Sequence, residues 1–388
     1  EFENMFCYGG GNKIDFTKLD GTVGVVAPNH SGKSAIMDAI AYTIYDVCSR
    51  TNRALDVMNK KKTTFKAKLN LEIKYMMTQK KDFSPTVKKL KDVPMDHIDN
   101  TSQFESYLKT RTFTKLYDEM LWGEGPCYVP HKDMLVWSDI PNNRMLKLIN
   151  NKVSEFRNPS NFCNGNTLDN DENLISCSHG GRCIYRTKDY VNTTTLVNSY
   201  QGKKLNSPND LVVKSDGTIW FTDPPYGILS DYEGYPGEQE YGGCYVFRYN
   251  PISKNLDVVL KDLDRPNGIA FSQDEKIIYI ADTGENIKHL YVYELNEVDN
   301  LTNKKLVYDF KPFFSDGFRS DKDGNIWTSA GKGIKCFNPK GEIIGQLLVP
   351  ELVSNLEFGG KEGNILYVTA TSSLYSMELN QIGAKYIK

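Results

Sequence analysis

Several familiar signatures are missing from this chain of 388 residues. Its eight cysteines (7, 48, 127, 163, 177, 183, 244 and 336) are scattered and form no Cys-x-x-Cys pair. In a chain this long that spread predicts free thiols in a reducing compartment rather than a disulfide framework. Histidine is scarce, five in all, and clusters nowhere with cysteine, which removes the usual thiolate zinc site. No apolar run approaches the roughly 18 residues that span a bilayer, and no signal-peptide pattern opens the chain. No membrane partner and a cytoplasmic setting are expected. The net charge of −2 gives no overall pull toward nucleic acid or anionic lipid. Gly-x-Ser-x-Gly, the nucleophile elbow of serine hydrolases, is absent.

What is present divides in two. Residues 1–111 carry 18 Lys and Arg against 13 Asp and Glu, a net of +5, so the remainder carries −7. The first part contains one helical pattern, "KSAIMDAIAYTIYDV" from Lys33 to Val47, with apolar side chains at 36, 37, 40, 44 and 47. From about Met76 the chain turns polar and Lys-rich ("QKKDFSPTVKKLKDVP"), which reads as a linker over 76–111. From 112 onward the style is short β-runs, aromatics and Gly/Asp turns.

Those β-runs repeat. "MLVWSD" begins at Met134, "LISCSH" at Leu174, "TIWFTD" at Thr218, "IIYIAD" at Ile277, "NIWTSA" at Asn325 and "ILYVTA" at Ile365. Most follow a turn such as "KSDG" or "DKDG", which is hairpin chemistry. A unit of roughly 45 residues with a hairpin at fixed phase is the sequence sign of a propeller blade. Six units over 112–388 predict a mainly β, six-bladed β-propeller.

Just upstream of each turn the innermost strand of the blade should begin. The residues there are Glu124, Asn166, Asn209, Asn267, Asp316 and Asn355. Innermost strands line the central channel, so these six oxygen-bearing side chains should ring one mouth of it. Two carboxylates with amide carbonyls suit one divalent ion, Ca2+ before Mg2+ or Mn2+. Asp139, His179, Asp223 and Asp282 end the returning strands and are expected at the same mouth.

At this point the residues resemble a known family. "WGEGP", "WSDIPNNRML", "FCNGNT", "SCSHGGR", "SPNDLVVKSDGTIWFTDPPYGI", "GGCYVFRY", "RPNGIAFS", "IADTG" and "SDGFRSDKDGNIWTSAGKGI" match, in order, the gluconolactonase branch of the SMP-30/gluconolactonase/LRE-like family. The resemblance covers about 270 residues. It implies a six-bladed propeller with one divalent metal in the channel, Ca2+ first, with Mg2+, Mn2+ and Zn2+ as the other candidates. It implies Glu124, Asn267 and Asp316 as metal ligands and Asn209 as ligand or substrate contact. It further implies a gluconolactonase-like lactone (carboxylic-ester) hydrolase acting on a small-molecule lactone. A carboxylate beside the metal can take the proton of the attacking water, so Asp316 is the expected acceptor, with Asn209 as the second expected catalytic residue. Asn166, His179, Asp223 and Tyr226 are the expected substrate contacts.

The first part carries a second resemblance. "VGVVAPNHSGKSAIMDAIAY" reads as strand, loop and helix, and its loop departs from the P-loop pattern only in Ala27, where the first Gly would stand. Residues 1–75 are similar to the N-terminal lobe of Rad50/SMC-type ATPases and predict a small partial α/β P-loop lobe. Asn29, Gly32, Lys33 and Ser34 would hold nucleotide phosphate, with ATP and Mg2+ as the ligand. No second lobe, no Ser-Gly-Gly signature sequence and no strand ending in Asp-Glu follows. The alternative to a lactonase is therefore a nucleotide-binding DNA-repair ATPase fragment with the propeller as a binding module. Nucleic acid is a partner only on that reading.

Overall fold

The structure is a computed structural model, and it describes residues 2–3, 66–67, 92–94 and 100–386. The chain divides into two compact units, Glu1–Lys81 and Asp82–Lys388. In the first, Phe2–Glu3 pairs antiparallel with Lys66–Ala67. The helix expected over 33–47 and the phosphate-binding residues Asn29, Gly32, Lys33 and Ser34 lie outside the described residues.

The second unit is the six-bladed propeller, and each of the six repeated runs is the second strand of a blade. The first blade is Gly123–Val129, Met134–Asp139, Arg144–Ile149 and Lys152–Arg157. The second is Cys163–Leu168, Leu174–Ser178, Cys183–Lys188 and Asn192–Val197. The third to fifth begin at Leu211–Val213, Pro266–Phe271 and Phe318–Ser320 and likewise add three antiparallel strands outward. Burial follows rank within the blade: every residue of Gly123–Val129 is buried, whereas Asn192–Val197 is mostly exposed. Inner strands have neighbours on both faces and are buried, whereas outer strands meet water.

The sixth blade is closed by an earlier piece of chain. Val353–Gly359, Ile365–Ala370 and Ser373–Glu378 are joined by Thr112–Tyr117, and Asp92–Pro94 adds a fifth strand outside it. Tyr117 then meets Trp137 of the first blade edge-on at 6.3 Å.

The linker expected over 76–111 needs correction, because its last third is packed structure. Ser102–Tyr107 forms a short helix capped by Thr101, whose hydroxyl accepts from the Phe104 N–H at 3.2 Å. That bond satisfies one of the orphan donors of the first turn. Phe104 is fully buried with its ring 5.1 Å from that of Trp327, and Thr101 N–H donates to Ile344 O at 3.0 Å. The propeller's packing therefore begins before residue 112. The six cysteines among the described residues are free and buried. No helix among those residues is long and apolar enough to cross a membrane.

The far end of the channel is covered by the chain's last turns. Gly383 N–H donates to Gly363 O at 3.1 Å, and the Tyr386 hydroxyl donates to Phe358 O at 3.0 Å. Beneath them is a cavity of about 340 Å3 lined by Leu168, Ile269, Phe271, Arg319, Glu357 and Lys385 among others.

Candidate active site

The opposite mouth, where the inner strands begin, holds a cavity of about 260 Å3. Glu124, Asn209, Asn267 and Asp316 line it, from the first, third, fourth and fifth blades, and so does Tyr226. The sequence pattern and the fold thus bring these five together.

Local backbone irregularities aim the donors. In the first blade the register jumps between the pairs Glu124–Ser138 and Cys127–Val136; in the fourth it jumps between Pro266–Asp282 and Ile269–Ile280. Such bulges re-aim a side chain at the edge of a sheet. Glycine follows the donor where the next blade comes close. A Cβ on Gly125, whose φ is +51°, would lie 2.2 Å from Asn164 O, and one on Gly268 would lie 1.9 Å from Asp316 O. The donor–Gly pair is thus a packing requirement of the ring. Hydrogen bonds between blades fix the rest: Gly165 N–H donates to Asn209 O at 2.8 Å, and the Thr222 hydroxyl donates to Asn267 O at 2.7 Å.

The electrostatics are uncompensated. Glu124 Oε2 accepts from Asn355 Nδ2 at 3.0 Å and from Gly125 N–H at 2.8 Å. Burial nevertheless raises the Glu124 carboxyl to about 8. Asp316 is raised well above the usual carboxylate range by burial and then by repulsion from Glu124. Two desolvated carboxylates facing one another are the situation a bound cation relieves. Among the described residues no group of three or more His, Cys, Asp or Glu is arranged to hold a metal. The donor set here is two carboxylates and two amides, and hard oxygen donors of that kind fit Ca2+ better than a thiophilic metal.

Other expected contacts are elsewhere. Asn166 is fully buried away from the cavity: its Nδ2 donates to Gly125 O, Ser138 Oγ and Asn164 O, and its Oδ1 accepts from the Ser176 hydroxyl at 2.6 Å. Asn164, two residues earlier, lines the mouth instead. His179 stands behind it, with Nε2 3.2 Å from Asn164 Nδ2 and Nδ1 3.0 Å from Glu233 O. Burial lowers His179 to about 4, so it is neutral. Asp223 is buried beneath the loop, accepting from Asn206 N–H at 2.8 Å and from the Tyr241 hydroxyl. Asp139 and Asp282 do the same work, accepting from the N–H groups of Leu121 and Arg265. These aspartates tie down the segment that enters each inner strand, which is ordinary loop chemistry.

Residues that sequence reasoning missed are Trp122, Asn164, Glu233, Arg265, Lys288 and Phe314. Only Asn164 carried a usable signal, the Asn-Gly pair matching Glu124-Gly125 and Asn267-Gly268. The others sit on loops without periodicity. The Tyr226 hydroxyl is 2.6 Å from Thr283 Oγ1, which also accepts from Asn267 Nδ2 at 3.3 Å. A loop contact therefore steadies one of the donors.

Comparison with known proteins gives the family and the fold. Residues 122–372 match the model of the SMP-30/Gluconolactonase/LRE-like region. A gluconolactonase of Zymomonas mobilis subsp. mobilis is 32% identical over 290 residues, 68% of this chain and 80% of that protein. The solved structure of a Xanthomonas campestris gluconolactonase superposes with a TM-score of 0.71 at 32% identity, covering 75% of this chain and 96% of that one. Residues 1–121 match an AAA domain model, a span that runs into the propeller strand Thr112–Tyr117. An uncharacterized protein of Acanthamoeba polyphaga mimivirus is 40% identical over 74 residues, 19% of this chain and 5% of that protein.

Proposed function

The chain belongs to the SMP-30/gluconolactonase/LRE-like family and is a lactone hydrolase; we propose that it opens a gluconolactone-like sugar-acid lactone to the open-chain aldonic acid with the help of one divalent metal ion. Glu124, Asn209, Asn267 and Asp316 would hold the ion, Ca2+ first. The observation that supports this reading most is their convergence from four blades on one cavity, with two carboxylates raised by burial and paired with no cation among the described residues.

When bound, the ion supplies a Lewis acid that polarises the lactone carbonyl. Asp316 takes the proton of the attacking water, a task for a carboxylate held at the cavity edge. Asn209, fixed through its backbone by Gly165, orients the lactone by its side-chain amide. Asn355 and the Gly125 N–H hold Glu124 in place. The ring oxygen leaves as the hydroxyl of the product and takes up one proton; the new acid then loses one to solvent. Trp122 and Phe314 form the apolar part of the cavity wall. His179, neutral and behind Asn164, serves the loop that carries Glu233.

The test is exhaustive chelation followed by gluconolactone hydrolysis at a pH where the spontaneous rate is low. Activity should vanish and return with Ca2+ or another divalent ion. Undiminished turnover in the chelated protein rules out the metal.

A further inference from the structure

Two cations in the mouth have no role in the scheme above. Arg265 lies just before the inner strand of the fourth blade, and Lys288 closes the loop between that blade's second and third strands. Both are half-buried and both line the cavity. Their positions are built. The Lys288 ammonium donates to Thr283 O at 3.1 Å and to Gly284 O at 2.6 Å, and the Arg265 guanidinium lies 5.8 Å from the centre of the Tyr226 ring. Among the described residues neither is paired with a carboxylate. Glu233 shares the cavity, yet burial alone raises its carboxyl to about 7 with no cation drawing it down. The cations are therefore not spent on the acidic side chains around them.

A half-buried charge without a counter-ion is costly, and a ligand that strips its remaining water makes it more so unless that ligand is itself charged. A neutral lactone offers hydroxyls only. An anionic group offers charge-assisted bonds, and a guanidinium beside an ammonium is the pair that phosphate and carboxylate recognition commonly uses. Both cations belong to the fourth blade, whereas Glu124 and Asp316 come from the first and fifth. One wall of the mouth is thus basic and another acidic.

We propose that the Arg265–Lys288 wall binds an anionic substituent, a phosphate ester or a second carboxylate, on the lactone that the enzyme opens. The proposal rests on the lactonase reading and narrows its substrate class. The experiment compares kcat/KM for gluconolactone, phosphogluconolactone and glucarolactone in the unaltered protein and in Arg265→Gln, Lys288→Gln and the double variant. At least about a tenfold preference for one anionic lactone is expected, and which one is preferred identifies the group. The ratio of anionic to neutral kcat/KM should collapse toward one in the double variant and return in part with Arg265→Lys. Equal kcat/KM on charged and neutral lactones in the unaltered protein overturns the proposal, as does a preference that survives in the double variant. If no lactone is hydrolysed, the lactonase reading fails, and calorimetric binding of phosphogluconate against gluconate still decides the wall. Tighter binding of phosphogluconate that the double variant loses supports it, and equal binding overturns it.

Discussion

The two mouths of one channel are built from the same six strands and treat charge in opposite ways. At the far mouth Arg319 Nε meets Glu357 Oε2 at 2.9 Å, Lys385 reaches the other oxygen of Glu357, and Arg319 lies 4.0 Å from Asp210. Positive and negative groups alternate there, and the chain's end covers them. At the near mouth burial raises Glu124 and Asp316, repulsion from Glu124 raises Asp316 further, and among the described residues Arg265 and Lys288, which line the same cavity, form no ion pair with a carboxylate. The far cavity is the larger of the two, about 340 against about 260 Å3. Size therefore does not single out the proposed reacting end; charge without a partner does. A fold tolerates such groups where a ligand completes them, and pairs them internally elsewhere.

The sharpest way to break this comparison is at Asp316. Asp316→Asn removes the proposed proton acceptor, and kcat should fall about 10²–10⁴-fold even at saturating metal. Full activity with excess metal would return Asp316 to a ligand and nothing more. At the far mouth Glu357→Gln should do the converse. Removing one partner of a buried pair costs about 3–5 kcal/mol, seen as a lower Tm, while kcat stays near that of the unaltered protein. A large loss of kcat there would mean that the two mouths are not separable.

A smaller effect is expected at Glu124. Glu124→Gln keeps an oxygen donor and loses a charge, so metal affinity should drop and most of kcat should return as metal is added. Recovery in Asp316→Asn with none in Glu124→Gln would reverse the two roles. The smallest effect is on stability against pH. Glu124 is raised above its unfolded value of 4.5 to about 8, and Asp316 is raised too. Their contribution is complete below the unfolded value and is lost as pH rises toward the folded one. The Tm of metal-free protein should therefore decline by a few degrees between about pH 5 and 8, and added Ca2+ should stabilise more at the upper end. A metal-free Tm that rises over that range contradicts the uncompensated pair.

The blades were readable because hairpin turns and apolar alternation are local properties, and six copies at one phase leave little choice of architecture. Glu124, Asn209, Asn267 and Asp316 were readable because each precedes a turn at a nearly constant distance. Asn164 lines the mouth where Asn166 is expected, because counting along a strand assumes regular pairing. The second blade has a register shift opposite Ser176 and Ser178, which moves the exposed position. The loop residues Arg265, Glu233 and Lys288 left no pattern at all, since their placement depends on contacts between blades. The packed segment around Phe104 was obscured by the Lys-rich stretch before it, although Thr101 three residues ahead of Phe104 is an ordinary cap.

The strand Thr112–Tyr117 comes early in the chain and finishes the last blade to be made. During synthesis it must wait until Ser373–Glu378 emerges before it finds its partner. Any polypeptide placed ahead of the propeller is thus held beside a strand that stays unsatisfied for nearly the whole of translation. The same geometry restricts where two reading frames can be joined. A junction after Asp92–Pro94 and the Phe104 helix would cut into the seam of the ring, while one before residue 82 falls outside the compact unit. The closing strand travels with the ring.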